Sequence, residues 1–104
     1  MIHVVTFITA AHGQGKEAVE FVKGVSDRFN ESYPLILEST PLRSSIGNNN
    51  KLMVVNKIAS YADWEKIQTE RISKSDDPWG MVGGWGKPYI VPGSAVRQIY
   101  DVIE

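Results

Sequence analysis

Apolar residues alternate at the start of the chain, and both phases of the alternation are filled. Ile2, Val4, Thr6 and Ile8 form one face of a predicted strand over 2–9, and His3, Val5, Phe7 and Thr9 form the other. β-Branched and aromatic types dominate this segment and favour extended backbone. A strand apolar on both faces is expected to be covered on both. From about Lys16 to Ser32 the period lengthens to that of a helix. Ala18, Val22, Val25 and Phe29 recur at spacings of four, three and four, and Val19 and Phe21 widen the stripe. Gly13 and Gly15 break the chain before this helix, and Pro34 closes it by pushing Tyr33 toward extended backbone.

Leu35, Ile36 and Leu37 open a second strand that continues patchily to Ile46. Pro41 has no N–H for a ladder, so this strand lies at an edge or carries a bulge. Gly47, Asn48, Asn49 and Asn50 tolerate the positive φ that tight hairpins need, and predict a turn. A third strand follows over 51–59, with Leu52, Val54, Asn56 and Ile58 opposing Met53, Val55, Lys57 and Ala59. Ser60 is a good N-cap for a second helix reaching about Ser73. Its thinner stripe is Tyr61, Trp64, Ile67 and Ile72. A last strand over 95–103 places Val96, Gln98, Tyr100 and Val102 on one face and Arg97, Ile99, Asp101 and Ile103 on the other.

The order β-α-β-β-α-β in 104 residues implies a single α+β domain over 1–104. One layer of four-stranded antiparallel sheet then carries both helices on one face. Since neither sheet face is polar, a partner subunit is expected over the other.

Charge narrows the partners. Eleven basic and twelve acidic residues give a formal charge of -1, with no electrostatic reason to expect nucleic acid or a membrane surface. No apolar run approaches the ~20 residues that span a bilayer. The absence of cysteine removes disulfides, thiolate nucleophiles and zinc–thiolate sites together. The start of the sequence lacks the features of a secretory signal, so a cytoplasmic location is expected.

Gly13-Gln14-Gly15-Lys16-Glu17-Ala18 fits the G-x-G-x-x-A turn of dinucleotide-binding units, with Glu38 placed as a ribose-binding acid would be. The antiparallel hairpin predicted next contradicts such a fold, which needs a second helical crossover there. Two glycines making a strand-to-helix turn is the simpler reading. His3 and His12 are the only histidines. Along a regular strand they stand roughly 30 Å apart, so no shared metal site is expected. Residues 76–93 gather Trp79, Met81, Trp85 and Tyr89 among five glycines and three prolines. Two readings stand: a lid whose aromatics touch a ligand, or a packed crossover whose tryptophans plug the sheet's open end.

The element order, with a sheet apolar on both faces, resembles the dimeric α/β-barrel superfamily on a ferredoxin-like fold. Three stretches carry the likeness: Ile2 to Glu17, Leu52 to Ile67 with Ser60-Tyr61-Ala62-Asp63-Trp64, and Asp76-Asp77-Pro78-Trp79 ahead of the last strand. Within that group the chain is similar to the NIPSNAP-type and antibiotic-biosynthesis-monooxygenase-type members. The resemblance implies a homodimer packed sheet against sheet and a pocket for a small apolar or aromatic ligand. It implies no resident cofactor, and either cofactor-independent, monooxygenase-like chemistry or a non-catalytic structural dimer. Thr6 and Asn56 are its expected polar anchors, Arg97 a counter-charge, and Trp79, Met81, Trp85 and Tyr89 the pocket aromatics. The haem-degrading branch is a poor match. Its strand-1 asparagine falls at Thr6, its helix-2 tryptophan at about Ile67, and its histidine beyond that helix has no counterpart.

Overall fold

The computed structural model describes residues 1–44, 50–74, 90–91 and 94–103, with side chains omitted for 72–74. Six elements follow in order: β1 (Ile2–Thr9), α1 (Gly15–Ser32), β2 (Ile36–Arg43), β3 (Lys51–Ile58), α2 (Tyr61–Lys74) and β4 (Val96–Asp101). The strands form one sheet in the order β2-β3-β1-β4, antiparallel at every pairing. The fold class is therefore the expected βαββαβ arrangement. The predicted turn at 47–50 falls mostly on residues outside those described.

Register decides which phase of β1 meets the helices. Thr6 stands opposite Val54 on β3 and Arg97 on β4, and Val4 opposite Asn56 and Ile99. On that side Ile2, Val4, Ile8, Leu52, Val54 and Ile58 form one core with the helices. From α1 it takes Ala18, Phe21, Val22, Val25 and Phe29, the stripe that helical spacing marks out; from α2 it takes Trp64 and Ile67. Ser60 caps α2 by accepting a hydrogen bond from the Asp63 N–H at 3.2 Å.

β2 is an edge strand, which is why Pro41 is tolerated there. The irregularity in its pairing lies upstream of the proline, between Ile36 and Glu38. Asn30 of α1 closes part of the bare edge. Its Oδ1 accepts from the Ser39 N–H at 2.9 Å, and its Nδ2 donates to the Ser39 carbonyl at 3.1 Å. The side-chain amide thus stands in for a neighbouring strand.

The opposite sheet face carries Val5 and Phe7, flanked by Val55 and Met53 on β3 and by Val96 and Tyr100 on β4. Val5 is sheltered at the centre, while Val96 and Tyr100 at the rim are about half exposed, at 52% and 47%. Every residue of β4 is exposed.

Candidate functional site

Polar groups interrupt the core on the helix side of the sheet. Thr6, at the middle of β1, and Asn56, on β3, are 4% and 3% exposed. They occupy diagonal positions on one face, about 7–8 Å apart by sheet geometry. Arg97 sits beside Thr6 on β4, and its Nε–H donates to Thr6 Oγ1 over a long 3.4 Å. Its guanidinium lies 5.5 Å from the ring centroid of buried Trp64 on α2, within cation–π range. One strand pairing and one helix docking therefore place a hydroxyl, a cation and an indole plane together.

Asn56 is one of the buried polar side chains left short of a partner, the Ser26 hydroxyl on α1 being another. The Asn56 Oδ1 is buried and accepts no hydrogen bond among the described residues, and the hydroxyl of Ser39, directly opposite on β2, is also unpartnered. Leaving a buried acceptor unsatisfied costs about 1–3 kcal/mol, so a fold that keeps one invites a donor from outside the chain. Where α2 starts, the Tyr61 hydroxyl lies near Asp101 at the end of β4. Its pKa is raised, first by desolvation and then by the hydrogen bond and negative charge of Asp101.

Three of the expected site residues, Thr6, Asn56 and Arg97, thus share one face and one neighbourhood. Trp79, Met81, Trp85 and Tyr89 lie outside the described residues. His3 falls on the other sheet face, opposite Lys57 and Tyr100. Among the described residues no group of three or more His, Asp or Glu side chains could hold a metal ion. Trp64 is the partner that sequence reading left as one residue of a helical stripe. The pointer was present: Trp64 heads the sheet-facing stripe of α2, and Arg97 lies in the inward phase of β4.

No protein-family model matches the sequence, and none of the curated proteins does. Solved structures do. A MhuD variant, crystallised with two manganese protoporphyrin IX molecules per active site, superposes with a TM-score of 0.71 at 16% identity over 100% of this chain and 96% of its own. A candidate antibiotic biosynthesis monooxygenase from Nitrosomonas europaea gives 0.70 at 10% identity, covering 100% of both chains. Another, from Caulobacter crescentus, gives 0.69 at 18% identity over 99% of this chain and 90% of its own. The chain has the ferredoxin-like βαββαβ fold. These likenesses run end to end, so the fold's strand order accounts for the whole of the described chain. No described helix is long and apolar enough to cross a membrane.

Proposed function

We propose that the chain is a homodimeric α/β-barrel protein that holds a small aromatic ligand against Thr6, Asn56 and Arg97. The unsatisfied Asn56 Oδ1, buried beside the Thr6–Arg97–Trp64 group, carries the reading. A phenol or hydroquinone complements this set. Its O–H donates to Asn56, a carbonyl or oxyanion faces the Thr6 hydroxyl and the guanidinium, and the ring lies against Trp64 and the surrounding aliphatics. The dimer is supported by the apolar face bearing Val5, Phe7, Met53 and Val55, which no described element covers.

The activity that fits is cofactor-independent oxygenation. A cation fixed beside buried polar groups stabilises the oxyanion of an enolised ring ketone. The ring carbanion then supplies the electrons to dioxygen; one oxygen atom stays on the ring carbon as a carbonyl, and the other leaves as water. The alternative is a non-catalytic structural dimer of the NIPSNAP-like type.

The porphyrin of the MhuD structure does not suit these residues. Ile67 is packed into the core with no exposure, and no histidine follows His12.

Titration with 1-naphthol, followed by tryptophan fluorescence, tests the pocket. Arg97→Ala is expected to weaken binding at least tenfold, about 1.4 kcal/mol. Equal binding by the variant would remove Arg97 from the site. Dioxygen uptake with anthrone as substrate, lost in the same variant, separates the enzyme from the binding protein; binding without uptake favours the alternative.

A further inference from the structure

Two depressions beside α1 share part of their lining, and neither includes a residue of the Thr6–Asn56–Arg97 group. The first, about 700 Å³, opens where β1 turns into α1. His12, Gly13, Gly15 and Lys16 form one wall, and Arg43 at the end of β2 and Asn50 before β3 form the other. The second, about 300 Å³, runs between α1 and β2 along Val22, Pro41 and Leu42, with Lys23 beside it. Val19, Arg43 and Leu52 line both. A polar chamber therefore adjoins an apolar groove.

The charges have one sign. His12, Lys16, Lys23 and Arg43 converge from the turn, the helix and the strand, against the single carboxylate of Glu20. Among the described residues none of these four has a salt-bridge partner. The turn adds backbone donors. Gly13 holds a left-handed φ of 77°, Gln14 gives α1 no side-chain cap, and a methyl group built on Gly15 would meet nothing within 4 Å. The antiparallel sheet rules out a dinucleotide fold around this turn, but it leaves a cationic chamber with an apolar exit.

We propose that chamber and groove together bind an anionic amphiphile. Its carboxylate or phosphate head sits among His12, Lys16 and Arg43, and its hydrocarbon tail lies along Val19, Pro41 and Leu42. Charge selects the head, and removal of aliphatic surface from water holds the tail. The site does not depend on the proposed aromatic pocket and survives its failure.

Isothermal titration calorimetry with sodium decanoate and decyl phosphate, both kept below micelle formation, tests this. One molecule of at least one of them should bind per chain, and the preferred head distinguishes carboxylate from phosphate ligands. Binding should weaken as salt is raised. The double variant Lys16→Gln/Arg43→Gln should lose at least tenfold in affinity with an unchanged melting temperature, while Arg97→Ala should bind as the wild type does. The proposal is overturned if decanol binds as tightly as decanoate, or if inorganic phosphate binds as tightly as decyl phosphate. It falls equally if the double variant keeps full affinity, if Arg97→Ala loses it, or if neither amphiphile binds. Association with anionic phospholipid vesicles but not with the free amphiphiles would replace it with a membrane-surface reading.

Discussion

Val55→Asp is expected to turn a dimer into a monomer. Val55 lies on the face away from the helices, paired with Val5 on β1 and Thr40 on β2, among Phe7 and Met53. At the centre of a sheet-on-sheet interface a carboxylate must lose its water. That costs several kcal/mol, enough to raise a dimer dissociation constant about 1000-fold. Light scattering on the eluting peak should give about twice 11.6 kDa for the wild type and about 11.6 kDa for the variant. Lys57→Gln is the control. It breaks only the exposed 3.8 Å pair with Glu38, worth about 0–1 kcal/mol, and should leave the mass unchanged. A wild type that elutes as a monomer at micromolar concentration would show that no second copy covers this face.

Asn56→Leu should stabilise the protein and remove its ligand binding. The substitution replaces a buried amide whose oxygen lacks a partner with a side chain of similar size that suits its neighbours Val4 and Val54. Recovering the lost hydrogen-bonding cost is worth about 1 kcal/mol. In a domain of this size that is about 4–8 °C in melting temperature, compared at one protein concentration. Affinity for 1-naphthol should fall more than tenfold in the same variant. A loss of stability instead would show that the amide is satisfied in the native state, and the main support for the pocket would go with it. Stabilisation with unchanged binding would place the ligand elsewhere.

Much of this fold was legible because each element carries its own period. The four-three-four spacing of Ala18, Val22, Val25 and Phe29 marked the buried stripe of α1, and the alternation in 51–58 marked the faces of β3. The inward face of β1 was not legible. Val4 and Val5 are equally apolar, and only the register with β3 and the docking of α1 separate them. Pro41 left a choice between edge and bulge; the strand order chooses the edge, and Asn30 reinforces it.

The site was legible in part for the same reason. Thr6 and Asn56 stand out as polar positions in apolar phases. The meeting of Arg97 with Trp64 depends on β4 pairing with β1 so that residue 97 faces residue 6. No local pattern encodes that pairing. The cationic chamber was read as a glycine turn or a dinucleotide loop, because Arg43 enters it from a strand 27 residues beyond Lys16.

The most direct measurement of the central claim is a methyl-resolved NMR titration with 1-naphthol. The two sheet faces have separate reporters: Thr6, Val4 and Ile99 on the helix side, and Val5 and Val55 on the other. Saturable shifts at Thr6, Val4, Ile99 and the Asn56 side-chain amide, with Val5 and Val55 unmoved, are the predicted result. Shifts confined to Val5 and Val55, or none at millimolar ligand, would contradict a pocket built on Thr6, Asn56 and Arg97.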